Sequence, residues 1–558
     1  MRRSKFPGII EIYLLTGDIM KKHFLFLIVV TVFLCLPEQA FASHLKIDKV
    51  MISEVNTQNK IATLQFNIVW ENSWKNEINS DGVWFFAKYK APDGLWKHVS
   101  LKTASAVPFD YQDHTPAMFS RGDGVDIGMW IPEEKTGGFL FRTKGNGTSF
   151  SKNVRILWDY SKEGISDAQL MQSLVQVMGL EMVHVSRGEF YVGDPKGPNG
   201  PDNSFYTYPD NGSYQIKSED AILVDKVDGA LYCDQDNPRS REEVPFTIPA
   251  AFPKGFDPFW IMKYELSSQQ FVDFLNTLDR KQQQSMVESD ISQDEIRNYY
   301  VKTNSPEEHL RNAIVTAKKG NGTTDPVKFY TYAPARAVNF MSWSNITAIA
   351  DWAGLRPITE LEYEKAARGT GAALVNELAW GVTMEEIGKI GRVDTFDGAD
   401  GSGYEKKVPQ QGVVNACFGG GIAPFDVGKK TVPDNPGFEG PVSGEIFENS
   451  LQGDVSERIN AGASYYGVRN LSGNLWERCV TVGHALGRAF DAQRGDGTLT
   501  RDGFADVAAW PGKDGAGAGN RGGVWSSPEP KYLRVSLRFA ANFPKSEDGK
   551  NSGCRLGF

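Results

Sequence analysis

From Gly369 to its end the chain is dense in glycine and almost devoid of the 3.6-residue apolar period of amphipathic helices. A compact domain with few regular elements around long ordered loops is an unusual plan, and its loops need pinning by disulfides, buried aromatics or metal ions. The composition suits that plan. With 57 Gly, 13 Trp and an aromatic share of 12%, the chain favours β-rich and loop-rich architecture over a helical bundle. At 558 residues it is expected to hold about two to four domains.

The start of the chain carries an export pattern. Met20-Lys21-Lys22-His23 precedes an apolar run from Phe24 to Leu36, too short to span a bilayer comfortably, and Ala40-Phe41-Ala42 follows as a small-residue cleavage signal. Met20 reads as the initiator and residues 1–42 as a signal peptide, with Ser43 as the mature start. Cys35 follows Leu34, too large for a lipoprotein site, and no second apolar stretch reaches transmembrane length. The product is expected in the periplasm or outside the cell, without a membrane anchor. A net charge of -9 argues against nucleic acid, because no basic surplus exists to displace counterions. Cys233, Cys417, Cys479 and Cys554 remain after cleavage. Their spacing matches neither a metal knuckle nor a redox pair, leaving three full disulfide pairings or buried free thiols open.

Residues 43–178 read as β-structure. Leu64 to Trp70 alternates apolar and polar side chains, Val83–Tyr89 and Leu95–Leu101 flank the turn Ala91-Pro92-Asp93-Gly94, and further strands are expected at Gly138–Arg142 and Val154–Trp158. Short strands at this spacing suggest a β-sandwich. Its tryptophans (Trp70, Trp74, Trp84, Trp96, Trp130, Trp158) form either a packed core or a sugar-stacking face. Residues 166–178 fit a helix capped by Ser166 or a strand Leu174–Met178.

A second domain, 179–558, then begins. Residues 195–245 read as a loop excursion and 280–325 as a polar insertion with a short helix after Ser292, boxed by Glu295. A strand at Phe259–Glu265 precedes a helix opened by the capping box of Ser267 and Gln270, with Phe271, Phe274, Leu275 and Leu278 on one face. Two more helices start near Ser342 and at Thr359, the second boxed by Glu362 and stopped by Gly369. Asp394, Asp397 and Asp400 sit three apart without fitting an EF-hand loop, and read as a solvated acidic loop.

Four segments in order carry a resemblance. Phe259-Trp-Ile-Met-Lys-Tyr-Glu265, the stretch from Ser342-Trp343 through Arg356-Pro357-Ile358-Thr359-Glu360 to Arg368-Gly369, Tyr466 to Glu477 with its Gly473-Asn474-Leu475-Trp476-Glu477 core, and Arg521-Gly522-Gly523-Val524-Trp525 with Arg534, Arg538 and Gly553-Cys554-Arg555 resemble the motifs of the formylglycine-generating enzyme (sulfatase-modifying factor) family. The resemblance implies an α+β chain, a β-sandwich followed by a loop-rich C-type-lectin-like domain, and it favours the strand at 174–178.

The family's oxidases bind copper(I) through two cysteines just after the Gly-Gly-x-Trp strand, a task that suits soft thiolates. Here those positions read Ser527 and Tyr532, so neither copper nor formylglycine generation is expected. Cys554 stands at a packing position of the last strand. A second branch of the family uses iron held by histidines of a helical bundle, and His44, His98, His114, His184, His309 and His484 offer no such spacing. The resemblance further implies structural calcium, held by the side chains of Asn474 and Glu477 with the carbonyls of Leu475 and Cys479. A second set would be Asn415 and the Ala416 carbonyl with Asp434 and the Phe438 carbonyl. The alternative for the first set is that Asn474 and Glu477 hydrogen-bond the turn over Trp476.

The function expected is a non-catalytic binding or scaffold protein of the cell envelope, its partner a glycan or another envelope protein. The groove would be lined by Trp525, Ser526, Ser527, Tyr532 and Arg534. The alternative is an enzyme of different, metal-dependent or tyrosine-based chemistry in the same pocket, since no histidine is placed to activate Ser527. A third reading gives ligand recognition to the N-terminal domain.

Overall fold

The computed structural model describes residues 45–102, 123–124, 127–196, 203–210, 212–233, 241–303, 310–384, 396–397, 406–407, 416–417, 440–445, 458–459, 461–543 and 549–558. The export segment, Asn415, Asp434, Phe438, Asp394 and Asp400 therefore lie outside the described residues.

The first strands are β1 (Lys46–Asn56), β2 (Ile61–Lys75), β3 (Asp81–Lys90), β4 (Trp96–His98), β5 (Leu101–Lys102), β6 (Asp123–Gly124), β7 (Ile127–Trp130), β8 (Gly138–Arg142) and β9 (Gly145–Asp159). One sheet runs β1-β2-β9-β5, with β6 also on β9. The alternation in β2 turns Leu64, Phe66, Ile68 and Trp70 inward, where they meet Val83, Phe85 and Ala87 of β3 and Val154, Ile156 and Trp158 of β9. Burying Phe66 and Phe85 contributes about 2 kcal/mol each. The Ala91–Gly94 turn closes by a Gly94 amide donating to the Ala91 carbonyl at 2.9 Å, with Gly94 at φ +84°. The strand expected at Leu95–Leu101 divides: β4 pairs with β3 and β5 with β9, so the chain changes sheets between them.

Both readings of residues 166–178 are realised in succession. Ser166 and Gln169 form a capping box on α1 (Asp167–Gln172), and β10 (Leu174–Val185) follows. β10 pairs with β3 over 174–183 and with a later strand over 182–185, so the division expected at 178/179 falls inside one strand. All described residues belong to one compact unit.

Next come β11 (Phe190–Val192), β12 (Phe205–Thr207), β13 (Tyr214–Ile216), β14 (Ile222–Val224), β15 (Leu231–Cys233), β16 (Phe246–Ile248) and β17 (Phe259–Met262). The stretch 195–245, expected as loop, thus contributes to a four-stranded sheet ordered β12-β15-β14-β16. Three-residue strands are too short for an alternation to show in the sequence. α2 (Ser268–Leu275) has the predicted Ser267–Gln270 box and buries Phe271, Phe274 and Leu275. The helix expected after Ser292 is not there. α3 (Arg280–Met286), capped by Asp279 and Gln282, precedes it. The Arg280 guanidinium bonds the carbonyls of Ile291, Asn321 and Asp325 and, at 3.2 Å, Gln293.

β18 (Ile314–Thr316) and β19 (Phe329–Thr331) form a hairpin. α4 (Trp343–Trp352), β20 (Arg356–Pro357) and α5 (Glu360–Arg368) follow, then β21 (Phe396–Asp397), β22 (Lys406–Lys407), β23 (Glu477–Val480), α6 (Ala485–Arg488), β24 (Ala518–Arg521) and β25 (Leu556–Gly557). The second large sheet, β20-β25-β17-β10-β3-β8-β7 with β4 on β3, joins the first and last parts of the chain. Trp70, Trp84 and Trp158 are fully buried, and Trp84 donates to the Ala353 carbonyl at 2.8 Å. These three are core residues, not a sugar platform. All four described cysteines are free and buried.

Candidate functional site

The segment most distinctive in the sequence, α5, is buried along its whole length although it carries five charged side chains. Its charges act as spokes. Glu360 accepts from Arg538 Nε (2.7 Å) and Arg521 Nη1 (2.9 Å), and also from Thr481 Oγ1 and the Val482 amide. Burial alone would raise the Glu360 carboxyl, but Arg538 and Arg521 hold it below its ordinary value. Glu362 closes the capping box on Thr359 and takes both arms of Arg356. Glu364 accepts from Arg521 Nη2 at 2.5 Å and the Gly193 amide at 2.8 Å. The closing-strand arginines therefore serve the frame.

The Asn474–Glu477 loop is a second joint. Asn474 sits at φ +62°. Its Oδ1 accepts from the Val442 amide at 2.9 Å, and its Nδ2 donates to Glu265. The other Glu265 oxygen accepts from the Leu475 amide at 2.9 Å. Glu477 accepts from Arg555 Nε at 2.7 Å, and Arg555 also donates to the carbonyls of Met262 and Arg469. Burial, then the neighbouring Glu477, pushes the Glu265 carboxyl well above the carboxylate range. Of the atoms expected to hold calcium, the Glu477 Oε2 atom is buried without a hydrogen-bond partner, while Asn474 is fully committed to protein. Among the side-chain oxygens of that set only Glu477 Oε2 is left unbonded, beside the Arg555 guanidinium. Ala416 of the second expected set is buried. Glu265 and Arg555 complete this joint, and their motif positions alone did not reveal the pairing.

Trp525, Ser526 and Ser527 follow β24 in one turn, and the Tyr532 backbone meets Gly523 just before it. The Trp525 amide donates to the Asn474 carbonyl at 2.8 Å, tying this turn to the previous joint. Ser527 is 6% exposed. Its amide donates to the Val524 carbonyl and its Oγ accepts from the Val524 amide, both at 2.9 Å. The hydroxyl therefore closes a turn. Ser526 Oγ reaches Asn551 Oδ1 at 3.3 Å. Tyr532 lies in a 3-10 turn, Pro530–Leu533, half-buried, with its ring 6.0 Å from that of Phe539. Its carbonyl packs over Gly523, whose φ is +73° and where an added Cβ would come within 2.5 Å of that oxygen. Arg534 donates to Asn376 Oδ1 at 2.8 Å and the Lys531 carbonyl at 2.9 Å. Trp525 and Arg534 are buried, and Ser526 and Tyr532 are half-buried.

The thiols lie in packing positions. Cys554 and Cys233 belong to the large apolar core and Cys479 to a second cluster. Burial raises the thiols of Cys479 and Cys554, which disfavours the thiolate a soft metal needs. Cys417, which sequence reasoning did not place here, shares a cluster with Trp525 and Leu475. It brings one thiol, not a pair.

A family model described as a sulfatase-modifying factor enzyme 1-like domain matches residues 168–557. No curated protein matches the chain.

Proposed function

This chain belongs to the formylglycine-generating enzyme (sulfatase-modifying factor) family, and on that premise we propose that it is an exported binding or scaffold protein of the cell envelope, not an oxidase. The observation that carries the reading is Ser527. At a position where the family's oxidases hold a metal-binding cysteine, this chain has a buried hydroxyl that closes a turn on Val524. The frame around it is intact, from Glu360–Arg521–Arg538 to Glu477–Arg555. A rigid frame with an inert centre is suited to presenting a surface. The N-terminal strands, read as a β-sandwich, share a sheet with that frame and extend it. Among the described residues no helix is long and apolar enough to cross a membrane, in keeping with a product released by its signal peptide.

The partner is an envelope protein or glycan engaging the accessible part of the groove, Ser526 and Tyr532. Immobilised chain from Ser43 is exposed to detergent-solubilised envelope of the source organism, alongside Ser526→Arg and Tyr532→Ala. The reading predicts one protein or polysaccharide retained by the wild type and lost from both variants. No retention, or retention unchanged in both variants, overturns it.

A further inference from the structure

β10 offers one edge that its own sheet leaves open. Its pairing with β17 ends at Met182, with one more bond from the Lys263 amide to the Glu181 carbonyl at 2.9 Å. That bond fixes the parity: odd-numbered residues of β10 direct their N–H and C=O groups to the β17 side, and His184, whose amide reaches the Ser80 carbonyl on the other side, agrees. Val175, Val177 and Gly179 therefore point their backbone groups past the end of β17, where they meet no described hydrogen-bond partner. Natural proteins blunt such edges with prolines, charges or bulges. β1 follows that rule, with register shifts at Asp48/Met51 and Ile52/Glu54. β10 does not, for its register runs unbroken from Leu174 to Val183 and its Leu174–Leu180 stretch has neither charge nor proline.

The open edge lies in a cavity of about 270 Å³, against roughly 150 Å³ for an apolar cavity that accepts benzene. One wall is β1: a Cβ on Gly179 would touch Ile47 and Leu45. The opposite wall is α2 with Trp352 of α4. On the α2 side Asp273 lines the cavity, with Oδ1 accepting from Gln269 at 2.8 Å; burial pushes its carboxyl up to about 6, against the lowering by Gln269 and the nearby Lys328, so it is ionised above that pH. The two walls prevent a whole second sheet from approaching.

We propose that a partner polypeptide docks here as an added strand, hydrogen-bonded to Val175, Val177 and Gly179, with an apolar side chain toward β1 and a lysine or arginine beside Asp273. This is strand addition in a groove between a sheet edge and a helix, in which the backbone supplies affinity and alternate side chains supply selectivity. It is independent of the groove at Ser526 and Tyr532, and neither stands or falls with the other.

The test uses the chain from Ser43 and a fluorescent panel of Thr-Xaa-Lys-Xaa-Thr pentapeptides, with Xaa valine, leucine or phenylalanine. Each is matched by a copy N-methylated at the residue expected to donate to β10 and by a Lys-to-Glu copy. At least one parent peptide binds, and its N-methylated copy binds about tenfold more weakly, as loss of a desolvated backbone bond requires. At pH 8, where Asp273 is ionised, Asp273→Lys reverses the preference between lysine and glutamate peptides. Hydrogen exchange reads the same edge: the amides of Val175, Val177 and Gly179 exchange freely in the isolated chain and become protected with peptide. Three results overturn the proposal: no peptide in the panel binds, N-methylation has no effect, or those amides are already protected in the isolated chain because its own residues fill the edge.

Discussion

Replacing Glu360 by glutamine tests whether the frame is held by charge. The side chain is 1% exposed and accepts two hydrogen bonds from Arg538, one from Arg521 Nη1, one from Thr481 and one from the Val482 amide. Glutamine keeps the volume, but it removes the charge and turns an amide group toward donors. Removing one partner of a buried ion pair costs about 3–5 kcal/mol. Arg521 keeps Glu364 at 2.5 Å, so the stranded charge is chiefly that of Arg538. The lower half of that range, about 3–4 kcal/mol, is expected, a large share of the roughly 5–15 kcal/mol typical of a folded protein. Urea unfolding followed by tryptophan fluorescence measures it, alongside Arg538→Met and the double variant. The double variant should cost less than the sum of the singles, because both charges are then gone. The pH dependence has a fixed sign. Glu360 is depressed in the folded state, so its contribution is present above the ordinary carboxylate pKa of about 4.3 and is lost as pH falls through the folded value. The gap between wild type and variant should close in acid. A cost below about 1 kcal/mol at pH 7, or strict additivity, would refute the reasoning.

Two further perturbations follow from the same principles. Lys263 is buried 3.2 Å from Asp81 and 3.1 Å from Glu181, bridging β17 to β3 and β10. Lys263→Met strands two carboxylates and should cost about 3–5 kcal/mol at pH 8. Burial already raises Asp81, so the variant should recover stability as the pH falls and the carboxyls take up protons, which unfolding curves at pH 5 and 8 will show. At the Asn474–Glu477 joint, chelator added to wild type and to Glu477→Gln should shift their thermal midpoints equally. A shift confined to the wild type would place a cation on this loop.

The helices were legible where their signals are local. Ser267 with Gln270 and Thr359 with Glu362 are four-residue patterns whose energy lies within one turn, and both boxes form. Ser292 with Glu295 carries the same pattern and forms no helix; the carbonyls of Ile291 and Gln293 are instead bonded by Arg280, more than ten residues earlier. The strands at 205–233 escaped notice because each is three residues long and is defined by its neighbours in the sheet. The site divides in the same way. That Ser527 and Tyr532 replace cysteines is readable from motif order alone. That Ser527 is locked on Val524, that Cys417 packs with Trp525, and that Glu265 ties Asn474 to Leu475 depends on contacts between distant parts of the chain. The open edge of β10 left no trace in the sequence, since only the end of the β17 pairing at Met182 exposes it.

The proposed function rests on Ser527 and Tyr532 standing where the family's oxidases hold their cysteines. The most direct test incubates the chain from Ser43 with copper(I), oxygen and a peptide carrying the sulfatase-type cysteine, followed by mass spectrometry of the peptide. Unmodified cysteine and no copper retained on the protein after desalting are expected. Formylglycine in the peptide, or one tightly held copper per chain lost on Cys417→Ser, would contradict it.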